Sequence, residues 1–273
     1  MLDTLKLAEL IDKTVIKNND DSFRNHLGAS IIGNACQRQL WYSFHWFDSE
    51  TLTGRQLRLF NRGHLEEDRF VKLLEAIGAK VWTCDESGKQ FRFKSLGGHF
   101  AGSLDGVATD IPNYPEPVLL EFKTSNDKNF QKLKREGIRS AKPVHYKQTQ
   151  VYLRAYNLKS CLYIVVNKND EELYFESFDI DIDIGRQMED KAESIIFGEG
   201  MPPRISETSG WFECRFCAMC DVCHNQKTPL VNCRTCAFSK PERDGTWSCS
   251  KNQDEINSQP MSGCDNHKHK YEI

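Results

Sequence analysis

The segment Val118-Leu-Leu-Glu-Phe-Lys-Thr124 sets a carboxylate and an ammonium two residues apart in a stretch otherwise fit for burial. Side chains alternate along a strand, so Leu119, Glu121 and Lys123 face one way while Val118, Leu120 and Phe122 face a core. Upstream, Asp105 lies between Gly102 and Gly106, glycines that permit close approach of a backbone or a ligand. A hairpin joining the two segments would bring Asp105 beside Glu121. That gives two oxygen ligands for a hard divalent cation, Mg²⁺ or Mn²⁺, with an ammonium next to them. Hydrolysis of a phosphodiester calls for this set: metal to activate water and neutralise phosphate charge, lysine to steady the developing oxyanion. Taken alone, an Asp…Glu-x-Lys triplet is common by chance, and a surface Glu–Lys pair is the bland alternative.

The triplet does not stand alone. In Gln148-Thr-Gln-Val-Tyr152 the first and last residues are i and i+4 on a predicted helix and share a face. An earlier predicted helix carries Arg62-Gly-His-Leu-Glu-Glu67. Asp105 in Gly-Ser-Leu-Asp-Gly and, after fifteen intervening residues, Glu121-Phe-Lys123 in Leu-Leu-Glu-Phe-Lys-Thr resemble the metal centre of PD-(D/E)XK nucleases. Gln148-x-x-x-Tyr152 is similar to the signature of their RecB-like branch. The resemblance implies that Asp105 and Glu121 hold the metal, that Lys123 orients the nucleophile, and that Gln148 and Tyr152 meet DNA near it. Arg62 to Glu67 resembles the family's first motif, a helix that supplies a metal ligand. Glu67, four residues after Gly63, is the implied ligand, with His64 as its competitor and Glu66 behind both. Leu104 stands where the name-giving proline would be, which removes no ligand.

The resemblance runs from about Gly28 to Cys223 and includes Ala29 to Arg38. That stretch is similar to the N-terminal cysteine motif of RecB-like exonucleases, the CRISPR-associated and phage-encoded ones among them. It implies an α/β fold with a mixed sheet flanked by helices. The implied activity is that of a metal-dependent DNA exonuclease acting on single-stranded or duplex ends in recombination or end processing, in a phage or bacterium. Two alternatives stay open: a structure- or protospacer-directed endonuclease, and an inactive module that binds DNA or a partner. A recombination or adaptation protein would be a natural partner, and an oligomer is compatible with the sequence.

Eleven cysteines in a chain with no export signal favour metal binding over disulfides, and eight of them lie between Cys214 and Cys264. Cys214-x2-Cys217-x5-Cys223 resembles the three-cysteine motif of iron–sulfur nucleases in the same branch, whose fourth ligand comes from far upstream. Cys36 is the implied fourth ligand of a 4Fe–4S cluster with a structural role. Cys220 lies within the motif, so Cys214, Cys217, Cys220 and Cys223 make a purely local alternative. Cys233-x2-Cys236-x12-Cys249-x14-Cys264 fits a four-thiolate Zn²⁺ site in a small ribbon, with His267 or His269 as substitutes for one ligand. Apart from Phe238, Trp247 and Tyr271 that tail has few large apolar residues, so metal would have to help it fold. A flexible tail with unpaired thiols is the alternative.

The elements that must position these residues follow from periodicity. Residues 1 to about 57 read as helical. A helix from Gly63 to Ile77, which Asn61 could cap, precedes strands at 80–83, 91–93, 100–109 and 118–124. Pro143 opens a helix to about Tyr156; Cys161–Asn167 and Glu172–Phe178 form a hairpin; a helix from about Ile184 to Ile196 closes the core. Four regions result: an N-terminal helical region (1–57) supplying Cys36, a nuclease core (58–200), an iron–sulfur segment (201–228) and a zinc-binding tail (229–273). The formal net charge of -3 excludes a globally basic nucleic-acid binder, so contact with DNA must be local. From Lys123 to Lys159 there are ten Lys or Arg against two acids. Of these, Lys128, Lys132, Lys134, Arg135 and Lys147 are candidates for holding backbone phosphate, and a solvated charged face is the bland alternative. The charged N-terminus lacks a signal-peptide core and no stretch reaches membrane-span length, so a cytoplasmic protein, in the bacterial host if phage-encoded, is expected.

Overall fold

The structure, a computed structural model, describes residues 4–20, 23–49, 51–251 and 263–271. In chain order the first elements are α1 (Thr4–Lys17), β1 (Leu27–Gly28), α2 (Gln37–Phe44), α3 (Gly54–Ala76), β2 (Lys80–Trp82), β3 (Arg92–Ser95), β4 (Phe100–Ser103), β5 (Gly106–Thr109) and β6 (Val118–Ser125). There follow α4 (Asp127–Ala141), α5 (Pro143–Ala155), β7 (Ser160–Asn167), β8 (Leu173–Asp179), α6 (Ile182–Phe197), α7 (Phe212–Arg215), α8 (Cys220–His224), β9 (Ser239–Pro241) and β10 (Trp247–Cys249). The chain forms two compact units. One comprises Met1–Ser22, Thr51–Phe91 and Ser103–Asp181; the other comprises Phe23–Glu50, Arg92–Gly102 and Ile182–Ile273.

The first unit is built on a mixed five-stranded sheet of order β2-β5-β6-β7-β8. β6 and β7 are its central, parallel pair, with Glu121 opposite Tyr163, while the other neighbours are antiparallel. Both central strands are buried over most of their length, as strands covered on both faces are. Val118, Leu120 and Phe122 pack with Phe70 and Leu74 of α3, Ala108 of β5, and Ile164 and Val166 of β7. The Phe70 and Phe122 rings stack at 5.0 Å. The alternation read from the sequence holds, and its second face is covered too: Leu119 and Glu121 are fully buried.

Three expectations need correction. The helix expected from Gly63 starts nine residues earlier, at Gly54, because Thr53 and Gln56 form a capping box: the Gln56 amide donates to Thr53 Oγ1 (3.3 Å) and the Thr53 amide donates to Gln56 Oε1 (2.9 Å). Asn61 therefore lies inside it. The single strand expected over 100–109 is two strands in two sheets, β4 and β5, interrupted at Leu104 and Asp105. The region around 127–141, read only as a basic stretch, is the helix α4, capped by Asn126 and buried through Phe130, Leu133 and Ile138.

The second unit holds a three-stranded sheet of order β1-β4-β3, a β9-β10 hairpin, and the helices α2, α6, α7 and α8. The region 1–57 is thus not one run of helix: α1 and α2 are separated by extended chain that includes β1. α2 buries Leu40, Trp41, Tyr42 and Phe44. Among the described residues no helix is long and apolar enough to cross a membrane.

Candidate active site

Where β5 begins, at the Gly106–Leu120 pair, the next amide of β6 facing that edge is Phe122 N. Asp105 Oδ2 accepts its hydrogen bond at 2.7 Å, so a side chain continues the pairing that the backbone gives up. The displaced carbonyl, Leu104 O, accepts instead from Gln90 Nε2 (3.1 Å). This locks Asp105 beside Glu121 and Lys123. Lys123 Nζ lies 3.8 Å from Asp105 Oδ2, forms an ion pair with Glu121 Oε1, and donates to Phe122 O (3.0 Å).

Glu121 is 0% exposed, and neither of its carboxylate oxygens has a directed hydrogen-bond partner. Burial pushes its carboxyl up to about 7, the charges of Asp105 and Glu67 add to that rise, and Lys123 opposes it. Glu67, on α3, is raised too, by burial first and Asp105 second, with His64 and Lys123 acting the other way. Burial opposes the charge of Lys123, yet Glu121 and Asp105 hold it protonated above its ordinary range. Three carboxylates that repel one another, one of them buried without directed partners, suit a divalent cation: Glu67, Asp105 and Glu121 offer the oxygens. His64 points away, with 76% of its side chain exposed and Nδ1 3.3 Å from Glu67 Oε1. Glu66 pairs with Arg69 at 3.3 Å.

On α5, Gln148 Nε2 donates to Tyr152 OH at 3.4 Å, and both side chains are buried. Burial raises the Tyr152 hydroxyl, and Glu121 and Asp105 raise it further, which puts this ring at the edge of the carboxylate group. Sequence reasoning missed two neighbours. His145 Nδ1 lies 2.7 Å from Tyr163 OH, and Tyr163 is the cross-strand partner of Glu121. The signal was present in the spacing 145, 148 and 152, which marks one helical face. Burial, then the charges of Lys123 and Lys142, lower His145 to about 3.

Lys128, Lys132, Lys134 and Arg135 lie exposed on α4, and Lys147 lies half-buried on α5. Several of them have acidic neighbours. Lys134 pairs with Glu172 (2.5 Å), and Lys132 and Arg135 with Glu136 (3.7 and 3.4 Å). Surface pairs of this kind are weak and leave the cations able to exchange partners.

Within the second unit, Cys36, Cys214, Cys217, Cys220 and Cys223 line one pocket, together with Arg38, Arg204 and Tyr42. Cys36 caps α2 from the N-terminal side; Cys214 lies on α7, and Cys220 and Cys223 on α8. Burial pushes the Cys217 thiol up to about 11, and the charges of Cys36, Cys220 and Cys223 add to it. Five thiols around one cavity, with two guanidinium groups on its wall, are a donor set that suits a four-thiolate iron–sulfur cluster.

In the tail, the Cys233–Cys236 turn closes through Cys236 N to Cys233 O (3.2 Å), and the Cys264–His267 turn through His267 N to Cys264 O (2.9 Å). The Cys233 thiol is raised by burial and then by the charges of Cys236, Cys264 and Cys249. Among the described residues no three His, Cys, Asp or Glu side chains are drawn in as a metal-holding group.

No family model matches the sequence, and no curated protein matches it either. Solved structures do match. SSO0001 is 15% identical over 81% of this chain and 98% of its own, with a TM-score of 0.46. The alkaline exonuclease LHK-Exo of Laribacter hongkongensis, one of whose structures is in complex with dAMP, is 15% identical over 69% of this chain and 91% of its own, with a TM-score of 0.47.

Proposed function

We propose that the chain is a metal-dependent DNA nuclease of the RecB-like PD-(D/E)XK kind that hydrolyses phosphodiester bonds at DNA ends. The observation that carries this reading is the buried Glu121 carboxylate, without directed hydrogen bonds, repelled by Asp105 and Glu67 and paired with Lys123. When bound there, Mg²⁺ or Mn²⁺ supplies Lewis acidity toward the phosphate. Asp105, Glu121 and Glu67 hold the ion. Lys123, kept cationic by those acids, orients the nucleophile and balances charge that develops on the phosphate oxygens. Gln148 and Tyr152 form a polar edge for the substrate strand, and the exposed cations of α4 hold flanking phosphates. In the second unit, Cys36, Cys214, Cys217 and Cys223 hold a 4Fe–4S cluster that ties the start of α2 to α7 and α8, with Cys220 as an alternate ligand.

The test uses full-length, anaerobically purified protein with linear and circular DNA, in Mg²⁺ and in Mn²⁺, beside Glu121→Gln. Loss of linear DNA alone, abolished in the variant, is the expected result. Cutting of circles would replace the exonuclease mode with an endonuclease. Activity unaffected by Glu121→Gln, or none in cluster-loaded protein with either metal, would overturn the reading.

A further inference from the structure

Arg234 stands between Cys233 and Cys236 and is 3% exposed. Its guanidinium donates to Phe44 O (3.0 Å) and Asn25 O (2.9 Å) and lies 3.9, 4.7 and 5.3 Å from the ring centroids of Trp46, Trp247 and Phe44. A second cation, Lys270, places Nζ 5.3 Å from the Trp247 centroid, while its backbone amide donates to Thr235 O (2.8 Å). Among the described residues no carboxylate forms an ion pair with either, whereas Arg204, Lys227, Lys240 and Arg243 of this unit each have one. Carbonyl oxygens and ring faces stabilise a cation but carry no net charge, so among the described residues these two cations lack a counter-charge.

The backbone brings the four tail cysteines to the same place. Cys236 pairs with His269, and Ala237 N donates to Lys268 O (2.7 Å), so the Cys264–His267 turn runs back along the Cys233–Cys236 turn. The β9-β10 hairpin sets Cys249 opposite Ser239, whose amide donates to Cys236 O (3.1 Å). His267 Nε2 is taken up by Thr235 Oγ1 at 3.1 Å. His269 Nδ1 is buried with no hydrogen-bond partner and is the rival nitrogen ligand.

We propose that Cys233, Cys236, Cys249 and Cys264 bind one Zn²⁺ as a four-thiolate centre, and that this centre is the missing counter-charge of Arg234 and Lys270. The balance is simple. Four thiols give up four protons to solvent and take up one dication, which leaves the centre with a net charge of minus two. Arg234 stands in the chain between two of its ligands, and the charge of Lys270 is felt at Cys236. Free thiols would leave those cations uncompensated, and so would a pair of disulfides. Three thiolates and His269 would compensate one of them. Four-coordinate thiolate ligation is a closed, structural form of zinc site, so the ion here would hold the tail in place.

The zinc content of full-length protein is measured by elemental analysis, with iron counted separately. The proposal predicts about one zinc per chain in wild type and in Glu121→Gln, so its outcome is separate from that of the nuclease reading. Zinc is lost in Cys249→Ser and in Cys264→Ser and kept in His269→Ala. Because a cysteine variant can fail to fold, the charge argument is tested on Lys270→Met. Chelator competition is expected to show its zinc affinity roughly 10–100-fold weaker, the usual effect of removing an outer partner of a metal site. Wild-type protein whose four tail thiols react freely and which holds no zinc would overturn the proposal. So would zinc lost in His269→Ala but kept in Cys264→Ser, or an unchanged affinity in Lys270→Met.

Discussion

Asp105 Oδ2 accepts a 2.7 Å hydrogen bond from the backbone amide of Phe122, the residue between Glu121 and Lys123. One carboxylate thus sets the register of two strands and faces the other two charged side chains of the site. The two roles separate by substitution. Asp105→Asn keeps an acceptor for the Phe122 amide and loses the charge, so its denaturation midpoint should stay near wild type while Mn²⁺ binding, read by calorimetry, is lost. Asp105→Ala should lose both, at a cost of about 1–3 kcal/mol for the buried amide left without a partner.

Lys123 is held as a cation by Glu121 and Asp105. Replacing it with Met should leave metal binding in place and lower kcat by about 10²–10³-fold, the usual loss when one stabilising donor is removed from a transition state. Single-turnover cleavage at saturating metal checks this. A fall confined to KM would assign the residue to substrate binding.

The carboxylates of the metal-free site repel one another, so a cation that binds only the folded chain must stabilise it. At about a hundred times its dissociation constant the gain is roughly 2.7 kcal/mol. Thermal unfolding in Mg²⁺ or Mn²⁺ should shift upward in wild type and stay put in Glu121→Gln, and a chelator should reverse the shift.

Burial, with Lys123 and Lys142, lowers His145 from 6.5 to about 3. Between those values the unfolded chain binds a proton that the folded chain refuses. The stability His145 contributes is therefore complete above 6.5 and is lost as pH falls toward 3. His145→Gln should flatten the dependence of stability on pH between about 6.5 and 4. An unchanged slope in urea titrations across that range would contradict it.

Gly137 interrupts α4 with φ 68° and ψ 170°, and the amide of the next residue, Ile138, donates to Glu176 Oε2 at 2.8 Å. An alanine there meets the penalty of a positive-φ, extended-ψ conformation that essentially only glycine adopts, about 1–3 kcal/mol. Gly137→Ala should lower the midpoint of chemical denaturation by that amount, because the turn into Ile138 and Lys142 depends on it.

The sequence carried the reactive side chains better than their surroundings. Glu121 and Lys123 were legible because a period of two needs only seven residues, and Gln148 with Tyr152 because a helix face needs only five. The full burial of Glu121 was not legible, since it depends on α5 packing over β6 and β7, and alternation alone says only which side chains share a face. Asp105 was expected on a continuous strand; that the chain changes sheets there is a tertiary event with no local marker besides two glycines. α4 was hidden by composition, its three buried positions lying scattered among lysines and arginines. Arg234 read as a spacer inside a Cys-x2-Cys pair, because nothing in the sequence indicates that three aromatic rings from distant segments close around it.

α2 begins at Cys36, on the cavity lined by five cysteines, and ends at Phe44, whose carbonyl oxygen holds Arg234. Its Trp41 ring meets Tyr271 at 5.6 Å. Arg234 and Tyr271, which meet this helix from the tail, follow it far along the chain, so during vectorial synthesis this part of its aromatic side waits, uncovered, while the sheet between is translated. For a nascent chain that interval is a period of exposure, and a chain released before Arg234 would carry it permanently. The tail is thus the late-made cover of an aromatic surface laid down long before it.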